Sequence, residues 1–408
     1  MQAQRAVTRA EAQRIALAGG ARLALARADS AAARARLLTA RALPNPSLAA
    51  SYSKSTPQKH VSLEIPFDTP WSRGPRVRAA AALSRAARLR MLSERAAALV
   101  EVDTTYTQAL ADDARFRLSR QSARDADSLR LMTQSRRDAG DASDLDVDLA
   151  TVTAGQQWNV ASTDSLTYMS TILTLQTLMG LSADSTPIVL ADSLRLDVAD
   201  TVLVAGVATV TGVGAPPLDR NAALATGGIT TSAATPNVVA AEASLRAAEL
   251  AVARERRSVF SLPALSVGVE FGDPSEPGLL PTVGVVLPLP LLSRNQGPIA
   301  EASAERARAL AELSVARLEA RQRLVEALRE REALRVRVAR DTDLVARAQR
   351  VASRSLTAYR EGASALPAVL ESRRSAREVL AQYIDDLAAL LKVNAELRAL
   401  TQTVPSAP

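Results

Sequence analysis

The 408 residues contain no cysteine and a single histidine, His60. A disulfide framework and a thiolate metal site are thereby excluded, and one imidazole makes a poor metal centre. No thiol is present to carry a lipid. Aromatic residues make up 3% of the chain, too few to fill a compact core, so packing must run through small residues along long helices. No apolar run approaches the roughly 18–20 residues that a membrane-spanning helix needs. The opening Met1-Gln-Ala-Gln-Arg-Ala6 lacks the hydrophobic core of an export signal; the expectation is that such a signal was removed or lies outside this sequence. Also missing are a nucleophile elbow, a glycine-rich phosphate loop and a histidine-containing metal cluster. Enzyme chemistry finds no support, and neither a cofactor nor a metal is expected.

The formal charge is +7. Nucleic-acid binding would want basic residues gathered on one face with aromatics between them. Here arginines alternate with carboxylates, as in Arg321, Arg323, Glu326, Arg329, Glu330, Arg331 and Glu332. That pattern reads as a solvated helix face, and no nucleic acid is expected as a partner.

What is present is a sentence said twice. Val61-Ser-Leu-Glu-Ile-Pro-Phe-Asp-Thr-Pro-Trp-Ser-Arg-Gly-Pro75 returns as Val283-Gly-Val-Val-Leu-Pro-Leu-Pro-Leu-Leu-Ser-Arg-Asn-Gln-Gly-Pro298. Asn45-Pro-Ser-Leu48 matches Leu262-Pro-Ala-Leu265, and Gly140-Asp-Ala-Ser143-Asp-Leu145 matches Gly362-Ala-Ser364-Ala-Leu366. The offsets agree to within a few residues, so the chain reads as an internal tandem duplication.

Each copy has the same expected plan. Residues 1–181 form a first structural repeat, with a helix over 7–43, a β-hairpin at 47–67, a long helix over 75–138 and a return helix over 143–180. A connector covers 182–235. Residues 236–408 form the second repeat, with a helix, a β-hairpin at 264–289, a long helix over 298–361 and a return helix over 365–402. The strands are assigned from period-two alternation: Val61, Leu63 and Ile65 against Ser62 and Glu64, and Leu265, Val267, Val269 and Phe271 against Ser266, Gly268 and Glu270. The first long helix, about 63 residues without a breaker, would extend roughly 95 Å. Apolar residues along the second, among them Leu324, Leu328, Leu334 and Val338, follow three- and four-residue steps, as in coiled-coil contact. Two hairpins alone make a poor sheet with open edges and an exposed apolar face. Such a sheet must be covered, or closed by copies from other chains; strands of roughly nine to eleven residues also suit a membrane barrel.

Paired strand-Pro-turn-Gly-Pro-long-helix units, with Gly-x-x-Ser-x-Leu after the first long helix and Gly-x-Ser-x-Leu after the second, resemble the TolC-type outer membrane efflux proteins. Pro288-Leu-Pro-Leu-Leu-Ser-Arg-Asn-Gln-Gly-Pro-Ile-Ala300 is most similar to the branch serving pumps of the resistance-nodulation-division class. The resemblance implies a mainly α fold with a small β part: a homotrimer whose long antiparallel helical hairpins form an α-barrel, capped by a twelve-stranded β-barrel with four strands per chain. It implies an outer-membrane location in a diderm bacterium, extending into the periplasm. It also implies passive conduction from a periplasmic adaptor and an inner-membrane transporter to the exterior. The competing expectation is a soluble coiled-coil scaffold or adaptor of the cell envelope without a pore.

Several residues stand out on this reading. Gly140 and Gly362 sit where each long helix must end, and the resemblance makes Gly140, Ser143, Leu145, Gly362, Ser364 and Leu366 the adaptor-contacting tips. Ser143 or Asp144 is expected to cap the return helix. Asp146 and Asp148, repeated by threefold symmetry, are candidates for a carboxylate ring at an aperture, and Tyr359 for a tie between neighbouring helices there. Phe67 and Trp71 lie beside a strand end, where amphipathic aromatics meet the boundary of outer-membrane lipid and water.

Overall fold

The computed structural model describes residues 5–55, 57–182, 188–195, 235–259, 263–272, 278–287 and 293–401. In chain order the elements are β1 (Arg5–Val7), α1 (Arg9–Gly19), α2 (Ala21–Arg41), β2 (Ser47–Tyr52), β3 (Lys59–Pro66), α3 (Pro70–Asp138), α4 (Asp144–Leu178) and β4 (Ile188–Leu190). They continue with α5 (Pro236–Arg257), β5 (Ala264–Phe271), β6 (Leu280–Val286), α6 (Gln296–Arg360) and α7 (Leu366–Thr401). The protein is mainly helical with a small β part, as the composition requires. Most of the connector expected at 182–235, and Pro288–Leu292 of the second strand-helix turn, lie outside the described residues.

Two compact units divide the chain. One draws on 25–94 and 233–319, the other on 1–24, 95–232 and 320–403. The first holds a four-stranded antiparallel sheet in the order β2-β3-β5-β6, so the second strands of the two hairpins are not neighbours; β3 pairs with β5 from Lys59↔Phe271 to Pro66↔Ala264. Beside it α2, the start of α3, α5 and the start of α6 lie in a row. Arg76 Nε donates to the Ala40 carbonyl at 3.1 Å, Arg90 Nε to Ser244 Oγ at 3.1 Å, and Arg317 Nη2 to Glu242 Oε1 at 2.7 Å, which fixes that order. Ala40, Ala79, Ala86, Ala247 and Ala309 are buried in the row. Methyl-sized side chains there let helix backbones approach closely, the packing a low-aromatic chain permits.

The second unit carries three apolar clusters. Val7, Val102, Tyr106, Leu110, Leu175, Met179 and Ile188 form one, beneath the parallel pair β1-β4. Leu324, Leu334, Val338, Leu390 and Val393 form another along α6 and α7, at the spacing read from the sequence. The third lies near the helix turns.

The structure corrects several expected boundaries. The single helix expected over 7–43 is β1 followed by two helices, parted where Gly20 leaves the helical region (φ −61°, ψ 123°). Glycine is among the weakest helix formers, and two in succession concentrate the break there. The first long helix starts at Pro70 rather than 75. Thr69 acts as the cap, its carbonyl accepting from Ser72 N at 3.1 Å and Arg73 N at 2.9 Å, and Pro70 takes the first helical position, where no donor is needed. Pro75 lies inside the helix. The second long helix starts at 296 rather than 298, and the second hairpin, expected to reach 289, ends its last strand at Val286.

Candidate functional site

The sheet has two unlike faces. Register places Leu48 beside Leu63, Leu63 beside Val267 and Val267 beside Val283; Ile65, Leu265 and Val285 form a parallel row. Val61, Val269 and Phe271 complete this apolar side, because alternate residues of a strand share a face. The other side carries His60, Ser62, Glu64, Ser266, Gly268, Glu270 and Thr282, with His60 Nδ1 3.2 Å from Glu270 Oε1. The apolar side is bare: Leu48 is 72%, Val283 75% and Val285 74% exposed. Both outer strands, β2 and β6, present unpaired edges among the described residues. Lys59 alone interrupts the apolar side, its ammonium 5.5 Å from the centre of the Phe271 ring.

Where the strands feed the long helices, side chains lock the turns. Arg76 Nη2 reaches Asp68 Oδ2 at 2.5 Å while Asp68 is withdrawn from solvent. In the second turn Asn295, at φ 62°, donates from Nδ2 to the Glu255 carbonyl at 2.8 Å, to Glu255 Oε2 at 3.0 Å and to Ser258 Oγ at 2.8 Å. Burial pushes the Glu255 carboxyl up, but donors from Arg254, Asn295 and Ser258 outweigh it and hold it below the usual range. Phe67 and Trp71, the expected boundary aromatics, are both about half exposed.

The two helix turns share one hydrogen-bond pattern. Gly140 N bonds the Arg137 carbonyl at 2.9 Å and Asp141 N the Arg136 carbonyl at 2.8 Å. In the other turn Gly362 N bonds the Tyr359 carbonyl at 3.1 Å and Ala363 N the Ala358 carbonyl at 2.8 Å. Both glycines sit at left-handed φ, 86° and 77°, the geometry of a Schellman helix end. The turns then diverge. Ser143 caps α4 in a capping box: its Oγ accepts from Asp146 N at 3.1 Å, and Asp146 Oδ2 accepts from Ser143 N at 3.1 Å and Ser143 Oγ at 2.7 Å. The cap is therefore Ser143, not Asp144, and the Asp146 carboxylate is engaged within its own turn. Asp148 is exposed and bonds to nothing described. Leu145 is 75% exposed, whereas Leu366 is 2% exposed, packed with Leu129, Ala150, Tyr359 and Val369; Ser364 is half-buried.

Tyr359 joins the two long helices. Its hydroxyl lies 3.1 Å from Thr133 Oγ1, Arg136 Nη1 donates to its carbonyl at 2.5 Å, and the Arg136 guanidinium lies 4.7 Å from the ring centre. Sequence reading pointed to a tie through this hydroxyl but not to Thr133 or Arg136. A threonine and an arginine three residues apart, one turn before Gly140, were the only signal.

Other buried polar groups were not foreseen. The Tyr106 hydroxyl lies 2.9 Å from both the Val7 carbonyl and Asp192 Oδ2, which share its single hydrogen; burial and the Asp192 carboxylate hold the phenol well above its ordinary range. Asp341 and Asp386 face each other between α6 and α7, both buried, with Arg337 Nη2 2.6 Å from Asp386 Oδ1. Burial, then the neighbouring Asp386, pushes the Asp341 carboxyl up. Among the described residues no cluster of His, Asp or Glu is placed to hold a metal, and no helix is long and apolar enough to cross a membrane.

The arrangement matches solved outer-membrane channels. The fold is similar to VceC of Vibrio cholerae (15% identity, TM-score 0.73, covering 97% of this chain and 96% of that one). It is similar also to CmeC of Campylobacter jejuni (13%, 0.76, 96% and 85%) and to a membrane protein of Pseudomonas aeruginosa (20%, 0.74, 96% and 90%). No curated protein sequence matches the chain. A bare apolar sheet face with long helical hairpins is thus a fold this chain shares with those outer-membrane proteins. Residues 12–181 match the family model described as outer membrane efflux protein. CmeC is described as an outer membrane channel.

Proposed function

We propose that the chain is the outer-membrane channel component of a tripartite efflux pump, conducting substrates passively from a periplasmic adaptor and an inner-membrane resistance-nodulation-division transporter to the exterior. The observation that carries this reading is the sheet: one apolar face is bare, and both edge strands lack partners among the described residues. Three copies joined β6 to β2 satisfy every edge in a closed barrel of twelve strands, with the apolar face toward lipid and the Glu64–Glu270 face toward water. The edge helices support the same closure. Leu25 and Leu38 on α2, and Val315 and Leu318 on α6, are exposed apolar surface for a neighbouring copy to cover. The helices continue as a periplasmic tunnel, and the duplicated sequence supplies two hairpins per chain.

Phe67 and Trp71 then lie at the lipid boundary. The two turns meet the adaptor through Gly140, Ser143, Leu145, Gly362 and Ser364, with Leu366 supporting the second turn from beneath. Asp148 is the better aperture candidate, since Asp146 closes the capping box; Tyr359 holds the helices at that level.

The test is the mass of the protein extracted in mild detergent from separated membrane fractions. A stable trimer from the outer membrane supports the reading. A monomer or dimer released without detergent overturns it and leaves a helical scaffold.

A further inference from the structure

The positive charge of this chain is concentrated. Residues 25–94 hold ten arginines and two lysines against four carboxylates, a surplus of eight beside the +7 of the whole chain. In the same unit a groove of about 680 Å³ is lined by all four helices of the row, α2, α3, α5 and α6. Helices in a single row can share one groove only on the side toward which the row curves. Closing three such rows into a ring continues that curvature, so the groove side turns inward.

Five arginines line the groove: Arg36, Arg76, Arg90, Arg254 and Arg308. Three are neutralised. Arg76 lies on Asp68, Arg254 on Glu255, and Arg308 between Glu312 at 2.9 Å and Glu305 at 3.9 Å. Arg90 bonds a neutral oxygen instead. Its Nε donates to Ser244 Oγ, a buried hydroxyl that passes its own proton to the Ala240 carbonyl at 2.8 Å, which holds the guanidinium in place without cancelling its charge. Arg36 pairs with no described carboxylate. At about 100° per residue, Arg78, Arg85 and Arg88 fall on the face of α3 opposite Arg76 and Arg90.

We infer that this groove is an anion-favouring stretch of the conduit wall, and that small anionic solutes are the cargo class the chain passes most readily; the inference rests on the conduit reading above. Three copies bring six carboxylate-free guanidinium groups, from Arg36 and Arg90, into one belt. A one-signed cleft with low-dielectric walls enriches counter-ions, and rings of arginine or lysine select anions.

The experiment is the reversal potential of the full-length protein in planar bilayers under a potassium chloride gradient at low ionic strength. The wild type is compared with R36E/R90E, R36Q/R90Q and R85E, which makes the same change of charge on the opposite helix face. The expected result is chloride preference in the wild type, a fall in the chloride-to-potassium permeability ratio of about tenfold in R36E/R90E, a smaller fall in R36Q/R90Q, and no change in R85E. Cation preference in the wild type, or equal shifts in R85E and R36E/R90E, overturns the proposal while leaving the conduit intact. A protein that forms no conducting channel overturns the conduit reading and this proposal with it.

Discussion

The phenol of Tyr359 on α6 meets the hydroxyl of Thr133 on α3 at 3.1 Å, with both residues buried. Thr133 also donates to the Leu129 carbonyl at 3.0 Å, so its hydroxyl hydrogen is already committed and the Tyr359 hydroxyl is the donor between them. Y359F removes that donor while Thr133 keeps its own bond. The expected loss is about 1 kcal/mol, against about 3–5 kcal/mol for Y359A, which also empties the cluster around Leu366. Thermal unfolding of the detergent-solubilised protein checks both, and the ranking Y359A below Y359F below wild type is the outcome required.

Asp341 and Asp386 give a pH dependence with a definite sign. Asp341 is raised in the folded state by burial and by Asp386. A carboxyl raised on folding costs nothing while protonated in both states, below its unfolded pKa of about 3.9. Stability falls as pH rises through the folded value, because the folded state must then bury a second charge. D341N removes that charge, so it is expected to raise the melting midpoint at about pH 8 and to change it little at about pH 4. Equal effects at both pH values would refute the account.

The capping box at the start of α4 is testable by hydrogen exchange. S143A removes the hydroxyl that accepts from Asp146 N. The expected cost is about 1 kcal/mol, read as amide exchange roughly five- to tenfold faster through the first turn of α4 and unchanged exchange in α7.

G140A and G362A each force an alanine into left-handed geometry, at about 1–2 kcal/mol apiece. Limited proteolysis is expected to cut each variant faster at its own turn only. Wild-type rates at both turns would show that the strain is relieved elsewhere.

The sheet faces make opposite demands. V283R puts a guanidinium on the apolar side, where a charge near the bilayer midplane costs about 2–4 kcal/mol. T282R puts the same group on the other side of the same strand. Outer-membrane fractions are expected to hold much less trimer for V283R and near wild-type amounts for T282R.

Much of this architecture was legible in the sequence because it depends on periodic patterns. Alternation of Val61, Leu63 and Ile65 placed β3, and Gly140 and Gly362 marked both helix ends, since backbone geometry there has few solutions. Features that rest on contacts distant in sequence were not legible. Nothing near Pro70 outweighed Pro75 as a helix start until Thr69 was seen capping. Leu145 and Leu366 occupy matched positions in the duplicated text, yet one is bare and the other covered, because burial is decided by Tyr359 and Val369 rather than by the local motif. Arg9, Tyr106 and Asp192 meet across more than eighty residues and leave no local trace.

The short ladder from Arg5↔Ile188 to Val7↔Leu190 has a temporal consequence. β1 is among the earliest described segments to be synthesised, but its partner follows only after the whole first helical hairpin. Until Ile188 arrives, Val7 has no neighbouring strand and Tyr106 lacks the Asp192 acceptor. The first half therefore lacks this ladder and this hydrogen bond until residues 188–192 have been made. The residues that supply them are the opening residues of the segment that joins the first half to the second.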